Sequence, residues 1–150
     1  MSNQPAPTIL LADEDPGVRK SLGMVLTWAG YRVSTASHTI DAILLLHTVV
    51  PDVIIFNLDL APVPGYDFLA VVRHRLPQVA VIATSIVGES GVVPQGVLAD
   101  ALYIKGASST ETMLDIVAEL LRTGERRRLE HLANDPYPRD EDVKSVSSAV

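Results

Sequence analysis

Four short apolar runs in this chain stop at side chains that handle ions. Residues 8–12 stop at Asp13 and Glu14, residues 53–56 at Asn57 with Asp59 two positions on, residues 79–83 at Thr84, and residues 101–104 at Lys105. Paired carboxylates beside a backbone carbonyl suit a hard cation such as Mg²⁺. A hydroxyl and an ammonium group suit a phosphoryl oxygen. If the four runs are strands of one sheet, these groups surround a single small crevice.

The elements between the runs support that arrangement. Residues 53–56 are an unbroken apolar run, the pattern of a strand covered on both faces of a parallel sheet. Asp15-Pro16 starts a helix, with Asp as N-cap and Pro at the first position, and Val18, Leu22, Val25, Leu26 and Ala29 follow at helical spacing before Gly30. A short strand over 31–35 leads to a helix over 39–49, capped by Ser37 or Thr39 and packed through Ile40, Ile43, Leu44 and Leu46. Residues 65–75 read as a third helix, with Phe68, Leu69 and Val72 inward and Arg73, His74 and Arg75 set against its C-terminal dipole. Glycines and Pro94 limit the next helix to a turn or two over 93–99. Ser108 and Glu111 form a capping box for a last helix that faces the sheet with Met113, Leu114, Val117, Leu120 and Leu121 and stops at Gly124.

Five alternations of strand and helix with right-handed crossovers give a doubly wound α/β fold. The expected sheet is five-stranded, parallel and flavodoxin-like, in the order 2-1-3-4-5, with its crevice at the carboxyl ends of the first and third strands. The domain spans 8–124, preceded by a flexible segment over 1–7 and followed by a charged tail over 125–150. That tail is expected to be disordered and too short to bury a core, although ERRRLEHL can prolong the last helix.

Composition excludes several functions. A net charge of −6 argues against a dedicated nucleic-acid binder, whose affinity comes largely from Lys and Arg on phosphates. No cysteine means no disulfide and no thiolate chemistry. No apolar run reaches the roughly 18 residues of a membrane span, and no secretory leader is recognisable, so a cytoplasmic protein is expected. His38, His47, His74 and His131 have no ligand spacing and read as helix-surface residues. Arg122 and Arg126 to Arg128 read as a salt-bridged helix face, and Trp28 as a packing residue.

Taken in order, ILLADEDPGVR, PDVIIFNLDL, VIATS and LYIKG resemble the motifs of a response-regulator receiver domain of two-component signalling. The resemblance covers about Thr8 to Gly124. It implies that Asp13 and Glu14 hold Mg²⁺ with the Asp59 carbonyl, and that Thr84 and Lys105 bind the phosphoryl group. It also implies a histidine kinase, another regulator or a second copy as partner.

Several departures alter what the resemblance implies. Asn57 stands where the family carries its phospho-accepting aspartate, and an amide cannot attack phosphorus as a carboxylate does. Gly106 replaces the family's usual cis proline; a non-proline cis bond costs about 2.5–4 kcal/mol, so a trans loop of different shape is expected. Leu102 occupies the aromatic switch position, with Tyr103 one place late, and the acceptor loop reads APVPG. Losing the carboxylate at 57 also removes a repulsion worth about 1 kcal/mol in water and about 4 at an effective dielectric of 20, for charges about 4 Å apart. Any Mg²⁺ held by Asp13, Glu14, Asn57 and Asp59 should therefore bind weakly. The expected function is a stand-alone, non-enzymatic receiver-like module that acts without phosphorylation; the alternative is an Mg²⁺-dependent acceptor at Asp59.

Overall fold

The computed structural model describes residues 5–59, 65–86 and 98–134. Five strands, β1 (Thr8–Ala12), β2 (Arg32–Ala36), β3 (Val53–Asn57), β4 (Ala80–Ser85) and β5 (Ala101–Ile104), form one parallel sheet in the order β2-β1-β3-β4-β5. The helices among the described residues are α1 (Pro16–Trp28), α2 (Thr39–Leu46), α3 (Gly65–Arg75) and α4 (Thr110–Asn134). The doubly wound order read from the sequence is the one observed. The helix expected over 93–99 and the altered loop before Gly65 lie largely outside the described residues.

β3 is buried along its whole length because the sheet is covered on both sides. Alternate residues serve opposite layers. Ile54 and Phe56 meet α2 and α3 in one core, where the Phe56 and Phe68 rings stack 4.4 Å apart. Val53 and Ile55 meet Leu22 and Leu26 of α1 and Met113 and Val117 of α4 in the other.

α1 begins as its sequence dictates, with Asp15 Oδ1 accepting from the Gly17 and Val18 amides and Pro16 at the first position. Gly30 follows at φ 101°, a backbone conformation suited to glycine. Other helix details differ from expectation. α2 is capped by His38, whose Nδ1 accepts from the Asp41 amide at 3.3 Å, while Ser37 Oγ bonds the Asp41 carboxylate. Its buried residues are Thr39 and Ala42, and Ile40 and Leu44 face solvent. Almost every position of this short helix is apolar, so periodicity alone could not fix its phase.

α4 is capped by Ser109, whose Oγ accepts from the Thr112 amide at 3.1 Å. Ser108 instead offers its carbonyl to the Tyr103 hydroxyl. The helix runs through Gly124 to Asn134. Good helix formers follow that glycine, and Glu119–Arg122 and Glu125–Arg128 pair along the surface on either side of it, so no C-terminal cap forms there. Trp28 is 79% exposed and serves no core.

Candidate functional site

Three hydrogen bonds carry the sheet ladder past its strands and set the crevice residues. The Asp13 amide donates to the Ala36 carbonyl, the Leu58 amide to the Thr84 carbonyl, and the Lys105 amide to the Ser85 carbonyl. The register places Asn57 beside Thr84. Asp13, Asn57, Thr84 and Lys105 thus sit at one edge of one sheet, the carboxyl end of β1, β3, β4 and β5.

Asp13, Asn57 and Thr84 are each 2% exposed or less. A buried carboxylate needs a partner, and Lys105 supplies it: its Nζ lies 2.9 Å from Asp13 Oδ2. The other oxygen, Asp13 Oδ1, accepts the Asp15 amide at 2.9 Å. Arg19 reaches back from α1, its Nη1 donating to the Asp13 carbonyl at 2.7 Å and the Glu14 carbonyl at 3.1 Å. Arg19 was not singled out in the sequence, although its place one turn into the helix that follows the acidic pair is the available signal.

Asn57 uses its side-chain carbonyl locally. Oδ1 accepts the Asp59 amide at 3.1 Å, closing an Asx-type turn at the end of β3. The Thr84 hydroxyl is buried and has no hydrogen-bond partner among the described residues. Glu14 and Asp59 are solvent-exposed, unlike the three buried polar residues beside them.

This donor set offers a divalent cation few free carboxylates. Among the described residues no three His, Asp or Glu side chains converge. Both oxygens of Asp13 are already engaged, and its charge is matched by Lys105. Octahedral Mg²⁺ relies on carboxylates that are free to ligate it.

Beyond the crevice, Leu102 and Tyr103 face opposite layers of the sheet. Leu102 packs in the core with α2 and α3, and Tyr103 in the core with α1 and α4. Burial pushes the Tyr103 phenol above its ordinary pKa, and its hydroxyl donates to the Ser108 carbonyl at 3.0 Å. Gly106 has φ 84°, which proline, held near −65°, cannot adopt. Arg73, expected only to complement a helix dipole, clamps the approach to β5. It donates to the carbonyls of Val79 and Leu98 and to Asp100 Oδ2, at 2.6 Å, and that same oxygen accepts the Val81 amide.

The family described as the response regulator receiver domain matches residues 9–117, and the chain belongs to it. It is 34% identical over 99 residues to the transcriptional regulatory protein GlrR of Escherichia coli K12, covering 66% of this chain and 21% of that protein. It is 31% identical over 129 residues to the transcriptional regulatory protein AfsQ1 of Streptomyces coelicolor, covering 80% and 53%. The chain thus spans about a fifth to a half of the curated relatives it matches. Among solved structures it resembles a CheY-like receiver domain protein from Methanospirillum hungatei, with TM-score 0.72, 19% identity, and 81% of this chain and 98% of that one covered. It also resembles the response regulator TrrA of Thermotoga maritima in complex with Mg²⁺-BeF, with TM-score 0.68, 19% identity, and 76% and 98% covered. The structural likenesses show the same doubly wound fold.

Proposed function

We infer that this chain is a receiver that acts by binding other proteins, without being phosphorylated in the usual way. One observation carries the reading: the residue at the family's acceptor position is Asn57, a buried amide whose Oδ1 already accepts the Asp59 N–H. An amide has no anionic oxygen to attack phosphorus.

Thr84 and Lys105 remain as the phosphoryl-pocket positions. Asp13, Glu14, Asn57 and Asp59 are the positions at which Mg²⁺ would bind weakly. The partner is a histidine kinase or another regulator; nucleic acid is not favoured by a chain of net charge −6. No helix among the described residues is long and apolar enough to cross a membrane. Function in the cytoplasm is part of this proposal.

The rival reading, an Mg²⁺-dependent acceptor at Asp59, has one feature in its favour, the exposure of that carboxylate. Incubation with acetyl phosphate and Mg²⁺, followed by intact-mass measurement, separates the two. An unchanged mass is expected. A stoichiometric phosphoryl adduct that disappears in Asp59→Ala would establish the rival.

A further inference from the structure

β2 forms one edge of the sheet, and part of its backbone points away from it. Its only neighbouring strand is β1. The Arg32 amide donates to the Pro7 carbonyl and the Ala36 carbonyl accepts the Asp13 amide, so residues 32, 34 and 36 turn toward β1, and the N–H and C=O groups of Val33 and Thr35 turn outward. Edge strands are usually blunted by proline, a bulge or charge. β2 has no proline, its register with β1 is unbroken, and its single charge is Arg32 at the start.

A groove of about 350 Å³ runs along this edge, between α1 and the Val33 and Thr35 side chains. Its α1 wall carries Lys20, Met24 and Trp28, each four residues after the last and therefore on one side of the helix. Met24 is 44% exposed and Trp28 79%. Neither belongs to the core that α1 builds with Leu22 and Leu26. Lys20 is exposed, and no carboxylate lines the groove among the described residues. The stripe is about 12 Å long, with a cation at one end and an indole at the other.

Such a stripe complements its own reverse, because an ammonium group is attracted to an indole face. We propose that the β2 edge and the α1 groove form the interface of a two-fold symmetric dimer, in which β2 of one copy pairs antiparallel with β2 of the second and the two sheets join edge to edge. The outward backbone groups fix the register. Val33 and Thr35 of one copy exchange N–H···O bonds with Thr35 and Val33 of the second, which sets Ser34 opposite Ser34 on the two-fold axis. α1 rests on β1 and β2, so at about 4.8 Å per strand the two copies of α1 stand about 10 Å apart, the separation at which helices pack. Running antiparallel, they bring Met24 against Met24 and Lys20 over Trp28 of the second copy. The inference is independent of Asn57: a monomer would leave the phosphorylation reading intact, and a phosphoryl adduct would leave the dimer intact.

Sedimentation equilibrium from micromolar to submillimolar protein tests the association, with circular dichroism confirming that each variant is folded. A dimer is expected, and Trp28, the only tryptophan, should report it by a blue shift of its emission as concentration rises. Thr35→Pro removes an outward N–H without touching a bond to β1 and should weaken the dimer about tenfold or more. Trp28→Lys should weaken it by a second route, and adding Lys20→Trp should restore it. Because the chain has no cysteine, register can be read directly. Ser34→Cys should oxidise to a disulfide dimer, and should not when Thr35→Pro is also present. A monomer at every concentration would overturn the proposal. So would a dimer indifferent to both Thr35→Pro and Trp28→Lys, or one that Ser34→Cys fails to link.

Discussion

Lys105 Nζ stands 2.9 Å from Asp13 Oδ2 across the mouth of the sheet, with the carboxylate almost wholly buried. Removing either partner alone strands the other as an uncompensated charge. Asp13→Asn and Lys105→Met should each cost about 3 kcal/mol in urea unfolding, and the double variant should recover most of that loss. Additive losses would show that the pair is not coupled.

Asn57→Asp returns a carboxylate to a crevice that already holds Asp13. The variant should unfold several degrees below the parent without metal, and Mg²⁺ should raise its midpoint more than the parent's. Thermal scans of both proteins with and without Mg²⁺ check this. Identical midpoints in all four would refute the charge argument.

Thr84 buries a hydroxyl that bonds to nothing in the described structure, which costs about 1–3 kcal/mol of desolvation. Thr84→Val fills the same volume without that penalty. Unfolding should show a gain of about 1 kcal/mol, whereas a loss would mean that the hydroxyl finds a partner in solution.

Gly106 lies in the left-handed region, and a Cβ placed there meets no atom within 4 Å. Gly106→Ala should therefore cost only the backbone penalty of about 1 kcal/mol. Gly106→Pro should cost clearly more, because its ring fixes φ near −65°. Equal stabilities of the two variants would show that the loop rearranges freely.

Tyr103 has a phenol pKa raised by burial. The folded protein therefore holds that proton more tightly than the unfolded chain, whose value is about 10. Its contribution is fully present below pH 10 and is lost as pH rises through the higher folded value. Urea unfolding from pH 9 to 11.5 should show stability falling more steeply in the parent than in Tyr103→Phe. At neutral pH the variant should lose about 1 kcal/mol with the Ser108 hydrogen bond.

The sheet was readable because each strand is a short apolar run with a polar stop, and the β-α alternation leaves few ways to wind it. Asp13, Asn57, Thr84 and Lys105 were readable for the same reason: in such a sheet the polar stops share one edge. What sequence reasoning missed depends on tertiary geometry. Arg73 shows an ordinary helix-end cation in the sequence, but its three hydrogen-bonded partners come from Val79, Leu98 and Asp100. Trp28 is hydrophobic enough to predict burial, yet at the end of α1 it is exposed among the described residues. Gly124 looked like a stop because glycine favours C-caps, but the arginine-rich turn after it continues the helix.

The left-handed backbone at Gly106 also bears on how far the proposed function depends on residue 57 alone. Asn57→Asp would supply a nucleophile, but the lysine loop would still hold a shape closed to proline, and Tyr103 would still pack with α1 and α4 while Leu102 packs with α2 and α3. The proposed phosphorylation-independent receiver thus departs from the family's pattern at 57, 102 and 106 together.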